Sequence, residues 1–262
     1  MRIVTRGDSH IHVYDSGTDA APVMLVHGFA SDHATNWLAP GWVAPLAAAG
    51  FRAVAPDMRG HGRSTKFYAP HAYALEEMAA DVAAVMEELC MAPVPVVGYS
   101  MGGFIAAVLA AARPDLVSRL VLAGVGANML ADTTGRNEAI AQGLEADDVP
   151  SVAGPPASEV PRRFRLFADQ TGADRKALAA CIRGIGKVFT VQDLARIRAP
   201  TLVIAGERDD VARDPQPLAD LIPHARCVRV PKRDHMRAVG DKITKRDVVA
   251  FLAQGTQRGA QP

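Results

Sequence analysis

The spacing of short apolar runs along the chain is the feature that most constrains its fold. These runs are mostly uninterrupted by polar residues and occupy 23–26, 51–55, 94–97, 119–124 and 201–206. Uninterrupted runs of this length are typical of parallel strands that are buried on both faces of a sheet. The chain is therefore expected to build a parallel sheet from segments that are far apart in sequence.

Helical patterns lie between the apolar runs. The clearest has apolar residues at 75, 78, 82, 85 and 89, and this spacing places them in one stripe along a helix. Its acidic residues, Asp81 among them, are expected on the polar side. Strands that alternate with helices predict an α/β fold, with a doubly wound, mostly parallel sheet covered by helices on both faces. The 262 residues fit one such domain.

The strand pattern is interrupted between residues 127 and 198. Helical stretches in this segment are separated by residues rich in Pro, Gly and Ser, and the strand pattern resumes at 201. We therefore predict an α/β core formed by residues 1–126 and 199–255 and a small helical cap inserted at 127–198. Residues 256–262 are expected to be a flexible tail, and the alternating pattern near the start predicts an edge hairpin.

Composition excludes several classes of protein. Charged residues make up 22% and hydrophobic residues 49%, which is typical of a soluble globular protein. The formal net charge is +1 and basic residues are interspersed with acidic ones, which argues against nucleic-acid binding. No stretch resembles a signal peptide or a membrane span, so a cytoplasmic location without a membrane partner is expected. Cys90, Cys181 and Cys227 are too widely spaced for a zinc site and are expected to be reduced.

The pentapeptide Gly98-Tyr99-Ser100-Met101-Gly102 follows a buried run and precedes a helical pattern. A G-x-S-x-G sequence between a strand and a helix is the signature of a nucleophile elbow, in which a strained turn presents the serine hydroxyl above the sheet edge. A glycine-rich turn that arises by chance is the alternative, and the flanking pattern disfavours it. Ser100 is therefore the candidate nucleophile.

A serine hydroxyl is a weak nucleophile unless a base takes its proton. The chain has eight histidines, and His235 is the best placed because it follows the run 227–230 as a loop follows a strand. His224 is the nearest competitor. It precedes that strand, however, and is expected at the opposite end of the sheet.

A carboxylate must orient the imidazole and offset its positive charge. Asp209 and Asp210 both follow the run 201–206, and the residues alone leave the choice between them open. Either aspartate could instead cap the next helix, because aspartate is a common N-cap residue. The order serine, aspartate, histidine along the chain is the order that accompanies this kind of elbow.

Two backbone amides must face the oxyanion of a tetrahedral intermediate. One is expected from Met101, directly after the nucleophile. The other is expected from Phe29, because Gly28 allows the loop after the run 23–26 to approach a substrate. The neighbouring His27 is expected to hold this turn together by hydrogen bonds rather than to act as a base.

Five motifs carry a resemblance to a known family. They are HGFASD at 27–32, DMRGHGRS at 57–64, GYSMGG at 98–103, GERD at 206–209 and DHM at 234–236. In this order they resemble the α/β-hydrolase superfamily, in particular small bacterial esterases and the serine hydrolases similar to 3-oxoadipate enol-lactonase and cofactor-free haloperoxidases. The resemblance places a catalytic triad on Ser100, Asp209 and His235, and the spacing in the family favours Asp209 over Asp210.

The same resemblance implies a function. It indicates a hydrolase of carboxylic esters or lactones that forms an acyl-enzyme on Ser100, acts on a small molecule and needs no metal or organic cofactor. Carbon–carbon bond hydrolysis and perhydrolysis use the same triad and are alternatives, as is a ligand sensor with this fold. Haloalkane dehalogenases and epoxide hydrolases are disfavoured because they carry an aspartate at the elbow. Asp57 and Arg59 are expected to hold a loop near the site and to take no part in catalysis.

Candidate substrate contacts are the aromatic residues Phe29, Trp37, Phe164 and Phe167. Trp37 and Trp42 have the alternative of packing a helix on the sheet. In the cap, Arg163 or Arg165 could face a substrate carboxylate. Acidic residues nearly balance the basic residues there, so a solvated helix face is favoured for both arginines.

Overall fold

The computed structural model describes residues 1–89, 93–149 and 159–254 and builds one sheet from the predicted runs. Its strands are β1 (Arg2–Arg6), β2 (Ser9–Asp15), β3 (Ala21–Val26), β4 (Phe51–Pro56), β5 (Val94–Tyr99), β6 (Val117–Ala123), β7 (Thr201–Gly206) and β8 (Ala225–Val230). They lie in the order β1-β2-β4-β3-β5-β6-β7-β8. Strands β3 to β8 are parallel, and the β1–β2 hairpin joins the edge of β4 in antiparallel orientation. The predicted mostly parallel α/β fold is confirmed.

Helices connect and cover these strands. They are α1 (Val43–Ala48), α2 (Leu75–Glu88), α3 (Met101–Ala112), α4 (Thr134–Glu145), α5 (Glu159–Thr171), α6 (Arg175–Gly184), α7 (Val191–Ala195), α8 (Gln216–Ala219), α9 (His235–Ala238) and α10 (Lys242–Ala253). A π-helical turn spans Ala34–Leu38, and 3-10 helices span Pro70–Tyr73 and Ala127–Leu130. Within the described ranges, every helix is too short or too polar to cross a lipid bilayer.

Helices α4 to α7 lie between β6 and β7, in the segment that the sequence predicts as a cap. Residues 150–158 of this segment, the predicted tail at 256–262 and Cys90 lie outside the described residues. Cys181 and Cys227 are free thiols. Cys181 is fully buried, which raises the pKa of its thiol.

The sheet is buried on both faces because alternate residues of each strand contribute to different hydrophobic clusters. In β3, Met24 and Val26 join the cluster that contains α2 and α3, whereas Val23 and Leu25 join the cluster that contains α1 and α10. All four side chains are fully buried. A strand with apolar neighbours above and below leaves no position for a polar residue, which explains the uninterrupted runs.

Helix α2 buries its predicted apolar stripe and also one acidic residue. Asp81 is only 1% exposed, so the prediction that it lies on the polar side is wrong. Its carboxylate accepts hydrogen bonds from Nε and Nη2 of Arg59, at 2.6 and 2.7 Å, and from Nε of Arg6 at 2.8 Å. The helical spacing gives no sign of these partners, because Arg6 arrives from β1 and Arg59 from the loop after β4. A buried carboxylate requires such pairing, since an uncompensated buried charge is costly.

Candidate active site

Ser100 lies at the sharp turn between β5 and α3. Its backbone has φ of 52° and ψ of −115°, a conformation that is strained for a residue with a side chain. The Ser100 amide donates to the Ala123 carbonyl at 2.7 Å, which fixes the turn to the neighbouring strand β6. Ser100 is half-buried, so its hydroxyl is held at the end of the sheet without being sealed inside the core.

Two glycines permit this turn by allowing close backbone approach. A Cβ atom at Gly98 would lie closer than 3.0 Å to the Gly102 carbonyl oxygen, and one at Gly102 would lie equally close to the Val26 carbonyl oxygen. The start of α3 therefore packs directly on the ends of β5 and β3. The glycines of the G-x-S-x-G sequence are required by this contact.

Ser100, His235 and Asp209 form a hydrogen-bonded chain. Ser100 Oγ lies 3.0 Å from His235 Nε2, and His235 Nδ1 lies 3.0 and 2.9 Å from the two carboxylate oxygens of Asp209. Because Nδ1–H donates to the carboxylate, Nε2 carries the lone pair that accepts the Ser100 hydroxyl proton. The imidazole and the carboxylate are buried, at 3% and 5% exposure, so little water competes with these bonds.

The two aspartates after β7 face different partners. Asp209 Oδ1 accepts the amides of Val211 and Ala212 at 3.1 and 2.8 Å, which fixes the carboxylate beside the imidazole. Asp210 is exposed and instead pairs with Arg163 of α5, with Nη2 and Oδ2 2.5 Å apart. The carboxylate that reaches His235 is therefore that of Asp209.

His235 is also held through its backbone. The Tyr99 hydroxyl donates to the His235 carbonyl at 2.6 Å. Burial raises the pKa of Tyr99, so this hydroxyl stays protonated and remains a donor. The competing histidine, His224, is exposed and directly precedes β8, whereas His235 follows the other end of that strand.

The loop that carries Phe29 lies against the nucleophile. A Cβ atom on Gly28 would be 3.4 Å from Ser100 Cβ, and the Gly28 amide donates to Asn36 Oδ1 at 3.0 Å. Met101 is the first residue of α3, where backbone amides have no carbonyl partner within the helix. Phe29 and Met101 both line a cavity that reaches Ser100.

His27 also holds the loop that carries Phe29 in place. Its Nδ1–H donates to the Gly28 carbonyl at 2.8 Å, and its Nε2 accepts the Met58 amide at 2.9 Å. Both ring nitrogens are therefore occupied, and complete burial lowers the pKa of the ring, which keeps it neutral. The expectation that His27 holds the turn by hydrogen bonds is confirmed.

Two cavities meet at Ser100. The outer cavity, of about 460 Å³, is lined by residues that include Phe29, Ser100, Phe164, Phe167 and His235. The inner cavity, of about 40 Å³, is lined by residues that include Phe29, Ser100, Met101, Phe104, Arg136, Asn137, Ile140, Phe164 and Ile182. The rings of Phe29 and Phe164 border both cavities and pack edge to face, with centroids 5.4 Å apart.

The same sheet and elbow occur in known proteins. Residues 21–144 match a family model described as the α/β hydrolase fold. The crystal structure of a hydrolase from Pseudomonas aeruginosa superposes with a TM-score of 0.78 and 28% identity, covering 96% of this chain and 97% of that one. The chain has the α/β-hydrolase fold.

Curated relatives match the chain over most of its length. A Mycobacterium tuberculosis protein named as a non-heme bromoperoxidase is 29% identical over 246 residues, which cover 85% of this chain and 90% of that protein. A bifunctional esterase/perhydrolase of Acinetobacter calcoaceticus is 27% identical over 280 residues, which cover 95% of this chain and 98% of that protein. These relatives fall in the esterase and haloperoxidase group that the motifs resemble.

Trp37 is not part of the wall of either cavity. It is fully buried and packs edge to face on Trp42, with ring centroids 5.4 Å apart. Both rings belong to the hydrophobic cluster that contains α1. The prediction that Trp37 contacts substrate is therefore wrong, and its alternative role in core packing is confirmed.

One of the two arginines of the predicted cap differs from the predicted solvated face, whereas Arg163 pairs with Asp210 at the surface. Arg165 is buried and donates to the carbonyls of Gly143 and Ala146, at 3.2 and 2.5 Å, and to the Asp169 carboxylate at 2.9 Å. It joins α5 to the C-terminal end of α4, so the prediction is wrong for this residue.

No sequence signal marks Arg136, which begins a helical stretch outside every motif yet lines the inner cavity.

The loop of the DMRGHGRS motif is held by its own side chains. The Asp57 carboxylate accepts the amides of His33 and Arg63 at 2.9 and 3.0 Å, and His33 Nδ1 lies 2.7 Å from Asp57 Oδ1. These bonds keep the pKa of Asp57 well below its ordinary value. Arg59 pairs with the buried Asp81. Both residues of the motif thus have structural partners.

His61 in the same loop should make the protein less stable in mild acid. The ring is buried and its Nδ1–H donates to the Arg59 carbonyl at 2.9 Å. Burial lowers the pKa of His61 from 6.5 to about 3. Between these values the unfolded chain binds a proton that the folded chain does not bind. The free energy of unfolding should therefore fall as the pH falls through this range, by up to about 1.4 kcal/mol per pH unit for this group.

Urea denaturation at about pH 7, 6 and 5 measures this dependence. His61→Gln should reduce the slope of the free energy of unfolding against pH. His71→Gln, which changes an exposed histidine, should leave it unchanged. A His61→Gln slope equal to that of the wild type would contradict the assignment of this effect to His61.

Proposed function

We propose that the chain is a serine hydrolase that cleaves a carboxylic ester or lactone through an acyl-enzyme on Ser100. The observation that carries this proposal is the 3.0 Å distance between Ser100 Oγ and His235 Nε2, with Asp209 bound to the other ring nitrogen. This arrangement activates a hydroxyl that is otherwise a weak nucleophile. The esterase/perhydrolase relative supports the same class of reaction.

Each residue then has a defined task. His235 takes the Ser100 proton as Oγ attacks the carbonyl carbon, and the Asp209 carboxylate offsets the charge of the imidazolium. The amides of Phe29 and Met101 donate to the oxyanion of the tetrahedral intermediate. His235 protonates the leaving oxygen, which leaves the acyl group on Ser100. Water then attacks the acyl carbon and gives a proton to the same Nε2. The bond between the acyl carbon and Ser100 Oγ breaks, His235 returns the proton to Oγ, and the acid is released.

The outer cavity supports a small-molecule substrate. Its volume of about 460 Å³ lies within the range of about 300–1,000 Å³ that is usual for such ligands. The aromatic rings of Phe29, Phe164 and Phe167 border it beside Ser100. An apolar alcohol group or a lactone ring would therefore find a matching surface next to the nucleophile.

A fluorophosphonate probe tests the proposed nucleophile. It reacts with activated serines, so intact-mass and peptide analysis should find one label, on Ser100. Ser31→Ala, which changes another serine that lines the outer cavity, should not affect labelling. His235→Ala should slow labelling strongly because the base is lost. Folded protein that is not labelled, or is labelled elsewhere, would contradict the proposal.

Initial rates on short esters and on a panel of lactones test the substrate class. Turnover of either class supports the proposed reaction. The preferred class shows whether the leaving oxygen belongs to a separate alcohol or to the ring of a lactone. A protein that is labelled at Ser100 but hydrolyses neither class would exclude the ester and lactone assignment and favour carbon–carbon cleavage.

Perhydrolysis is a second candidate, favoured by the name of the Acinetobacter calcoaceticus relative. Hydrogen peroxide would replace water as the acceptor of the acyl group and yield a peracid. Adding hydrogen peroxide to the ester assay tests this, because a perhydrolase would form peracid at the same Ser100-dependent site.

A further inference from the structure

Arg136 is a half-buried cation beside the candidate nucleophile. It lies in the first turn of α4 and lines the inner cavity together with Ser100. Among the described residues, its Nε is buried without a hydrogen-bond partner, and its Nη1 donates to the Val211 carbonyl at 3.3 Å. A guanidinium carries five N–H donors, so this one weak bond leaves most of the donors of Arg136 unused among the described residues.

No acidic residue pairs with Arg136. The nearby Asp209 and Asp210 bind His235 and Arg163, and no described carboxylate lies within 4.0 Å of the Arg136 guanidinium. The segments outside the described residues, 90–92, 150–158 and 255–262, contain no aspartate or glutamate. The side chains of this chain therefore leave the positive charge of Arg136 without a partner.

Two buried arginines of this protein, Arg59 and Arg165, have hydrogen-bond partners for all three of their guanidinium nitrogen atoms. Arg59 donates from three nitrogen atoms, two of them to Asp81. Arg165 also donates from three, to one carboxylate and to backbone carbonyls. Arg136 resembles neither. Burial of a cation without such partners costs free energy, which an anionic ligand would recover.

The surroundings of Arg136 define the ligand. Asn137 is buried in the same cavity wall. The rest of the wall is mostly apolar and includes Phe104, Ile140 and Ile182. The inner cavity therefore combines a short apolar channel with a cationic group and an amide. A carboxylate at the end of an aliphatic chain matches this combination, because its two oxygens fit the fork of a guanidinium.

The size of the cavity limits the length of that chain. A volume of about 40 Å³ holds roughly three water-sized groups. A short acyl chain with a terminal carboxylate fits this space, whereas a long fatty acyl chain does not.

We propose that Arg136 binds a terminal carboxylate on the acyl part of the substrate, so that the preferred substrates are monoesters of short dicarboxylic acids. The inference rests on the proposed acyl-enzyme at Ser100 and places its acyl group in the inner cavity. Asn137 supplies a second donor to the same carboxylate. Arg136 thereby sets specificity, while the triad performs the reaction.

Two esters of matched shape test the proposal. Monoethyl succinate and ethyl 4-methylpentanoate share the ethyl alcohol and a branched acyl end, but only the first ends in a carboxylate. Hydrolysis is followed by acid release at constant pH. For the wild type, kcat/KM should be at least about tenfold higher for monoethyl succinate, as expected for one hydrogen bond to a charged group.

Arg136→Gln should abolish this preference. We expect kcat/KM for monoethyl succinate to fall roughly 10- to 100-fold, mainly through KM, and the value for the neutral ester to stay within about twofold. Arg136→Lys should retain part of the preference, since it keeps the charge without the fork. Arg162→Gln removes the same charge from α5, where the side chain is 50% exposed, and should leave both esters unchanged.

The outcomes separate this inference from the proposed function. An equal loss on both esters in Arg136→Gln would overturn it and show that Arg136 only supports the Val211 carbonyl. Absence of a preference in the wild type, with Ser100 labelled by the fluorophosphonate and the neutral ester hydrolysed, would overturn this inference alone. Folded protein that neither hydrolyses an ester nor labels at Ser100 would overturn the proposed function as well. The wild-type comparison needs no variant, so a variant that fails to fold does not remove the test.

Discussion

Ser100→Ala should lower kcat on a short ester by on the order of 10⁶-fold and leave the fold intact. Without Oγ no acyl-enzyme can form, and only the oxyanion amides and substrate binding remain to accelerate attack by water. Among the described residues, the Ser100 side chain makes one hydrogen bond, to His235 Nε2. The free energy of unfolding should therefore change by less than about 1.5 kcal/mol.

The adjacent aspartates provide a matched pair of controls. Asp209→Asn should lower kcat by about 10⁴-fold, because an amide cannot hold the imidazole in the required tautomer. Asp210→Asn changes a side chain that pairs with Arg163 at the surface and should leave kcat within about threefold. Initial rates and circular dichroism measure both effects. Substantial Ser100→Ala activity, or equal losses in the two asparagine variants, would contradict the proposed triad.

Gly102→Ala should impair both stability and activity. The added Cβ would lie closer than 3.0 Å to the carbonyl oxygens of Val26 and His27. These are backbone atoms, so no side-chain rotation relieves the clash, and α3 must move away from the end of β3. We expect the free energy of unfolding to fall by about 3 kcal/mol. We also expect kcat of the folded fraction to fall roughly 100-fold, since Ser100 would shift relative to Phe29.

Gly135→Ala is the matched control for this substitution. It adds the same methyl group in α4, where no described atom outside the local helix backbone lies within 4 Å of the new Cβ. Its stability should be unchanged or should rise by up to about 1 kcal/mol, because alanine favours a helix. Urea denaturation and ester hydrolysis test both variants. If Gly102→Ala matched the wild type in both measurements, the close contact between α3 and β3 would not be needed.

The central strands could be predicted from the sequence because burial on both faces removes polar residues from them. The runs at 94–97 and 201–206 correspond to β5 and β7, with boundaries that differ by two residues at most. Ser100 could be located for the same reason, since its elbow has a buried strand on one side and an apolar helix on the other. Patterns of this kind can be recognised from neighbouring residues alone, without knowing which distant segments they contact.

The choice between Asp209 and Asp210 illustrates where residue patterns stop being informative. Adjacent carboxylates after the same strand have the same chemistry and nearly the same position. Which one faces His235 depends on the backbone after Gly206, where the amides of Val211 and Ala212 fix Asp209. Only the spacing of the resembling family favours one of them at the level of sequence.

The burial of charged residues could not be predicted from the sequence, because it also depends on contacts between distant segments. A helical stripe identifies the apolar side of α2, but it cannot show that Arg6 and Arg59 reach Asp81 from other segments. Arg165 and Arg136 lie in the predicted cap, where tertiary packing decides which guanidinium binds carbonyl groups and which faces a cavity. Their environments depend on how α4 and α5 pack together, and no periodic pattern encodes that packing.

The hydrogen bond from the Tyr99 hydroxyl to the His235 carbonyl joins positions 136 residues apart in sequence. A local opening of the loop around His235 must break this bond and also the contact with Asp209. Segments linked in this way are expected to open together, and their amide protons should exchange as one cooperative unit. The base should therefore stay aligned with the nucleophile until the central sheet melts, so that heat inactivation coincides with loss of the fold.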